Sequence, residues 1–301
     1  MEEMMCYIPE NLEEALAIMD EKDAIALAGG SDLMVSGANG TGVNPSFSRP
    51  VVIITNLPEL KGIKRHEDGW TEIGALSTSR EIAESELVHP LVRKAASQMG
   101  AVALRNSATI GGNIANASPK GDTPQPLILL DAEVTLKSVR GERRMKVDDF
   151  ILGAKKTQFE KGEIITSVLI PPSNLTHCYY RKIGMRRANA ISKLTISIGA
   201  EVRDGKVVDF RASSGAAGPK VIRSHSSESI LIGKTLSELP EYKEEFLDAW
   251  NNAISPRAMP EYRRGATRRM LSFFIDALSS GAEEGIIEYE AKWLFITHQM
   301  L

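Results

Sequence analysis

Apolar residues Leu12, Ala15, Leu16 and Met19 recur at helical spacing on one face, behind Asn11 and Glu14 placed as a capping box. The period then changes. Residues 24–27, 51–55 and 71–76 are short apolar runs that predict strands, the last with Gly74 inside it. Helical period returns over 81–99 but is interrupted at His89-Pro90, so two helices are expected there. His89 is expected at that break and not on a metal, because no second ligand lies at helical spacing. An apolar run with two prolines over 123–130 suits a short helix. Segments 133–137 and 143–147 flank Arg140-Gly141 as a hairpin, and 163–170 reads as one more strand.

Pro171-Pro172-Ser173-Asn174 favours an extended linker and marks the expected domain boundary. Beyond it, 179–183, 193–203 and 206–213 read as strands, the last two joined by an Asp204-Gly205 turn. Helical segments follow at 226–231, 241–254 and 262–278, so the second half is an α+β layer. The tail, 285–301, is apolar for a terminus, with Ile286, Ile287, Tyr289, Trp293, Leu294, Phe295 and Ile296. It suits packing on the protein's own surface or a subunit contact equally well.

Two stretches of paired glycines interrupt this pattern. One is Leu27-Ala28-Gly29-Gly30-Ser31-Asp32-Leu33; the other is Ala108-Thr109-Ile110-Gly111-Gly112-Asn113, which runs on into the polar segment 116–122. A Gly-Gly pair allows backbone N–H groups to crowd against an anion and tolerates positive φ, and Thr109 and Asn113 add side-chain donors. Either stretch alone reads as an ordinary turn. Together they suit a diphosphate held from both sides. Gly37-Ala38-Asn39-Gly40-Thr41-Gly42 has the reverse spacing of a dinucleotide fingerprint, and Gly233-Lys234-Thr235 has Glu228 where a phosphate loop needs its first glycine.

Composition narrows the field. The chain has 301 residues and a formal charge of −3, which argues against nucleic acid or an anionic membrane as a general partner. The basic clusters Arg181-Lys182, Arg186-Arg187 and 257–269 read as solvated faces. Cys6 and Cys178 are too few and too far apart for a zinc site, an iron–sulfur site or a disulfide framework. The first seven residues lack the pattern of a signal peptide, and no apolar run reaches the length of a membrane span. A soluble cytoplasmic protein is expected.

The segments Ala28-Gly29-Gly30-Ser31-Asp32 and Thr109-Ile110-Gly111-Gly112-Asn113-Ile114-Ala115-Asn116 resemble the two FAD-diphosphate loops in the flavin subunits of molybdenum hydroxylases. That family includes the FAD domains of xanthine dehydrogenase and the medium subunit of carbon monoxide dehydrogenase. The similarity runs in order along nearly the whole chain. It implies an α+β fold. A two-part FAD-binding domain of the vanillyl-alcohol-oxidase/PCMH type would span 1–172, split near 57–62. A smaller α+β domain over 173–284 and the tail 285–301 would follow.

The resemblance also implies non-covalent FAD, contacted by Leu27, Ala28, Gly29, Gly30, Ser31, Asp32 and Leu33 and by Thr109, Ile110, Gly111, Gly112 and Asn113. Asp122 would lie near the adenosine ribose, Ile164 would pack on the cofactor, and Lys182 would lie at the isoalloxazine edge and favour the reduced, anionic flavin. Asn189-Ala190-Ile191-Ser192 stands where some members carry an aromatic residue, so no ring stacking is expected there.

The molybdenum cofactor and 2Fe–2S clusters would sit on a molybdenum large subunit and an iron–sulfur small subunit, with electrons leaving through this chain to NAD+ or another acceptor. A stand-alone FAD oxidase or reductase would need its own substrate base, and the five histidines are scattered. A flavin-free interaction subunit would not need both glycine pairs.

Overall fold

The computed structural model describes residues 5–38, 42–186 and 188–288. The middle of the Gly37–Gly42 stretch and most of the apolar tail, from Tyr289 on, lie outside the described residues.

The chain opens with β1 (Cys6–Tyr7), α1 (Leu12–Lys22), β2 (Ile25–Leu27), α2 (Leu33–Gly37) and β3 (Val51–Ile53). β3 lies between β1 and β2 in a parallel sheet. Parallel neighbours require a crossover. α1 supplies one and buries Leu12, Ala15, Leu16 and Met19. Asn11 caps this helix by accepting from the Glu14 amide at 2.9 Å, while the Glu14 carboxylate takes the Glu10 amide at 2.7 Å.

After a turn of 3-10 helix at Pro58–Leu60 comes an antiparallel sheet. In chain order its unit contains β4 (Ile63–Arg65), β5 (Thr71–Gly74), α3 (Ser79–Glu84), α4 (Pro90–Ser97), α5 (Val102–Ser107), α6 (Ile110–Ala115), α7 (Pro124–Leu129), β6 (Glu133–Ser138), β7 (Gly141–Lys146), α8 (Val147–Phe150), β8 (Ile151–Gly153), β9 (Lys156–Thr157) and β10 (Ile164–Ile170). The order β4-β5-β10-β6-β7 puts the apolar β10 at the centre. Ile82, Leu91, Ile110, Ile114, Leu127, Val134 and Val168 close the core between sheet and helices. His89 stands at the break between α3 and α4, where its Nδ1 accepts from the Leu91 amide at 3.2 Å and caps α4.

The remaining elements are β11 (His177–Gly184), β12 (Ser192–Arg203), β13 (Lys206–Gly215), β14 (Ile222–Arg223), α9 (His225–Glu228), α10 (Leu239–Ala253), α11 (Pro260–Ser279) and β15 (Gly285–Ile286). They form a sheet in the order β14-β13-β12-β11-β15. Asp204 and Gly205 take φ of 51° and 71°, the twist-matched hairpin turn that an Asp-Gly pair favours. Strand alternation gives this sheet two faces. Tyr179, Ile196, Ile198, Phe210 and Ala212 pack in one core with Phe246, Trp250 and Phe274 of α10 and α11. On the opposite face Gln125 of α7 is clamped between strands. Its amide nitrogen donates to Ser213 O at 2.6 Å, and its oxygen accepts from Ser197 Oγ at 2.8 Å. This buried seam ties the last sheet to the preceding unit.

Three expectations change. The second glycine stretch is not a loop, since Ile110–Ala115 is helical with Thr109 as N-cap. Helix around 226–231 shortens to His225–Glu228. The beginning of the tail is a strand, with Gly285 and Ile286 in register with His177 and Cys178 of β11.

Candidate functional site

A cleft of about 850 Å³ opens where the three sheet units meet. That volume is within the roughly 300–1,000 Å³ usual for ligand sites. One wall is the first glycine segment, which leaves the carboxyl end of β2 at Leu27. Gly30 has φ of 68° and turns the chain. Gly29 is needed for closeness: a Cβ there would sit 1.7 Å from Ser107 O at the end of α5. Among the described residues, the amides of Gly29, Gly30, Ser31, Asp32 and Leu33 have no acceptor on the chain, while the Met34 amide returns to Gly30 O at 2.9 Å. A row of open N–H groups is a surface that accepts an anion.

The facing segment works differently from its sequence expectation. Neither Gly111 nor Gly112 has positive φ. Its amides are already engaged: Ile110 with Ser77 O at 3.1 Å, Gly111 with Ala75 O at 2.9 Å, Gly112 with Thr109 Oγ1 at 3.2 Å, and Asn113 with Thr109 O at 3.0 Å. Gly111 is small because a Cβ would meet Ala75 Cβ at 2.8 Å and Ala75 O at 2.9 Å. Ile110 and Gly111 are buried and do not line the cleft; Thr109, Gly112 and Asn113 do. Asn113 Oδ1 accepts from Thr123 Oγ1 at 2.7 Å and from the Thr123 amide at 3.3 Å. Since Thr123 N–H can only donate, the oxygen of Asn113 must face it, and the NH₂ is left to other partners.

Asp122 and Lys182 come together. Lys182 Nζ donates to Asp122 Oδ2 at 2.7 Å and to Gln98 O at 3.1 Å, and Ser192 Oγ donates to Asp122 Oδ1 at 2.8 Å. Both side chains are over nine-tenths buried. Burial pushes the Asp122 carboxyl above its ordinary range, and the Lys182 cation and the two hydrogen bonds only partly offset this. Asp122 and Ser192 line the cleft, with Lys182 behind them. The N-cap position of α7 is taken by Thr123, next to Asp122.

Ile164 does not line the cleft. It is 3% exposed and packs in one core with Leu12, Leu16 and Val52, while its neighbours Gly162 and Glu163 face the site. Alternation along β10 turns its side chain inward. Sequence reasoning missed the wall that contains Lys155 and Phe159, whose advance signal is a Lys155-Lys156 pair two residues past Gly153. Among the described residues, no cluster of His, Cys, Asp and Glu could hold a metal, and no helix is long and apolar enough to cross a membrane.

The cleft's dimensions, its open amides, and the buried carboxylate backed by a cation all suit a dinucleotide with a diphosphate centre. Comparisons with known proteins agree. Residues 2–173 match the FAD binding domain in molybdopterin dehydrogenase, and residues 179–278 match the CO dehydrogenase flavoprotein C-terminal domain. The nicotinate dehydrogenase FAD-subunit of Eubacterium barkeri is 31% identical over 94% of this chain and 100% of its own length. The xanthine dehydrogenase FAD-binding subunit of Escherichia coli O157:H7 is 30% identical over 84% of this chain and 88% of its own. Among solved structures, carbon monoxide dehydrogenase from Hydrogenophaga pseudoflava superposes with a TM-score of 0.82 at 25% identity, covering 92% of this chain and 97% of that one. The chain belongs to the molybdenum hydroxylase family, as one of its FAD-binding medium subunits, and so is part of an oxidoreductase.

Proposed function

We propose that this chain holds FAD non-covalently in the cleft and acts as the electron outlet of a three-subunit molybdenum hydroxylase in the cytoplasm. Electrons arrive from the 2Fe–2S clusters of a small subunit, which are fed by the molybdenum cofactor of a large subunit, and leave to NAD+ or another acceptor. When bound, the flavin supplies the ability to take electrons singly and give them up as a pair.

The observation that carries this reading is the row of open amides from Gly29 to Leu33, facing Thr109, Gly112 and Asn113 across the cleft. Those N–H groups hold the diphosphate. Asp122, fixed by Lys182 and Ser192, accepts hydrogen bonds from the cofactor's hydroxyls, and the Lys182 ammonium adds positive charge behind the ring. Leu104 and the 74%-exposed Ile191 give the cleft an apolar cover.

Acid precipitation of the purified chain tests the cofactor assignment. Free FAD is expected in the supernatant, with little molybdenum or iron in the protein; a yellow pellet with a colourless supernatant refutes non-covalent binding. Purification of the untagged native complex, with metal analysis and reduction assays using NAD+ and dye acceptors, tests the relay.

A further inference from the structure

A second cavity, of about 420 Å³, shares no lining residue with the cleft. It lies where the Pro171-Pro172 linker leaves β10 for the last sheet, between the β4–β5 edge, the start of α4 and β15. We propose that this cavity binds a small carboxylic acid, its carboxylate held by Arg65 and Arg93 and its apolar body lying against the linker prolines.

Both arginines line the cavity and are anchored from one side. Arg65 Nη2 donates to Leu87 O at 2.8 Å, and Arg93 Nε donates to Ala83 O at 3.4 Å. Each guanidinium is thereby seated on a backbone carbonyl in or just after α3. A guanidinium has several N–H donors in a planar fork, so each seated group keeps others for a ligand. Among the described residues neither arginine pairs with a carboxylate, whereas Arg80, Arg140 and Arg143 do. Two like charges lining one cavity raise each other's energy. An anion between them removes that cost and accepts hydrogen bonds of the stronger, charge-assisted kind.

The charge of the lining selects the anion. Glu86 also lines the cavity, and so does His89. Burial and the nearby Arg211 cation lower His89 to about 4, so it is neutral at pH 7. Burial likewise pushes the Cys178 thiol up to about 12, so it adds soft apolar surface and no charge. Two arginines against one glutamate leave a single net positive charge. A carboxylate balances it, whereas a phosphate monoester, at about −1.5 to −2, overshoots.

The rest of the wall suits an apolar body. Val88, Ile170, Pro171, Pro172, Leu175 and Ile286 supply hydrocarbon, and proline has no N–H to leave unpaired. Ser173 Oγ accepts from the Leu175 amide at 3.4 Å and keeps its own hydrogen for a ligand oxygen. A mostly apolar cavity with a few convergent polar groups is the usual form of a small-molecule site.

The test titrates the full chain as purified with benzoate, benzamide and phenyl phosphate, for wild type, Arg65→Met and Arg93→Met, recording flavin content and thermal midpoint. Wild type is expected to bind benzoate with Kd below about 1 mM and to melt higher in its presence. Phenyl phosphate and the uncharged benzamide should bind at least about tenfold more weakly. Methionine keeps much of the apolar stem of arginine, so each variant should retain its flavin and its midpoint but bind benzoate roughly tenfold or more weakly. Equal affinity for benzamide or phenyl phosphate, unaltered benzoate affinity in either variant, or no saturation of wild type by about 10 mM overturns the proposal. Release of flavin by benzoate places the acid in the cleft and overturns it as well. If a variant fails to fold, the three probes on wild type still decide.

Discussion

Adjacent glycines in α6 are expected to fail in different ways when each is replaced by valine. Gly111 is buried, and a Cβ there meets Ala75 Cβ at 2.8 Å and Ala75 O at 2.9 Å, about half an ångström inside ordinary contact. Valine would lift α6 off the chain after β5 and stretch the Gly111 N–H bond to Ala75 O, now 2.9 Å. Overpacking costs about 1–3 kcal/mol and the weakened bond about 1 more, so about 2–4 in all. At roughly 2–4 °C per kcal/mol, the thermal midpoint should fall by roughly 5–15 °C. Gly112 is exposed, and its Cβ position meets only Thr109 Oγ1, at 2.9 Å. Rotating that hydroxyl away gives up one cap bond, about 1 kcal/mol. The Gly112→Val protein should therefore melt within a few degrees of wild type, yet place a branched side chain in the cleft and weaken FAD binding at least about tenfold. Calorimetry of the apo proteins and fluorescence titration with FAD separate the two effects. An unshifted Gly111→Val midpoint, or wild-type FAD affinity in Gly112→Val, would show the reasoning to be wrong.

Three further outcomes follow from the geometry. Gly29→Ala places a Cβ 1.7 Å from Ser107 O, so the two cleft segments must part and FAD retention on gel filtration should be lost; a normally loaded variant contradicts this. Lys182→Met leaves the buried Asp122 uncompensated and should move the two-electron potential of bound FAD by about 30 mV to the negative for each tenfold of lost stabilisation, with Asp122→Asn moving it the other way. Unchanged midpoints in both, at intact FAD content, exclude any electrostatic role for the pair. Burial, aided by the nearby Arg211 cation, lowers His89 from 6.5 to about 4. The unfolded chain thus takes up this proton first as pH falls, and stability from His89 that is present above pH 6.5 is lost toward pH 4, to an extent of about 3 kcal/mol at most. His89→Asn keeps an acceptor for the Leu91 amide and should flatten stability between those pH values; an unaltered slope assigns it to other groups.

Much of the fold was legible because its signals are local. The period-3.6 face of α1, the Asp204-Gly205 turn, the His89-Pro90 break and the alternation along β11 to β13 each depend on a few neighbouring residues, and each element formed close to its expected place. Paired glycines in a familiar arrangement also carried the cofactor class, since a diphosphate calls for backbone approach wherever it binds. The reason for each glycine was not legible. Gly29 and Gly111 are small because Ser107 and Ala75, distant in sequence, press against them, and Gly111 and Gly112 are ordinary helical residues in their backbone angles. Side-chain direction decided the rest. Ile164 turned into the first core, Asp122 and Lys182 met across 60 residues of chain, and a hairpin with no motif of its own brought Lys155 to the end of α6. Residue type and spacing set which chemistry was present. Which groups face the same cavity depended on how three sheets packed against one another, and that is a property of contacts between segments that no single segment encodes.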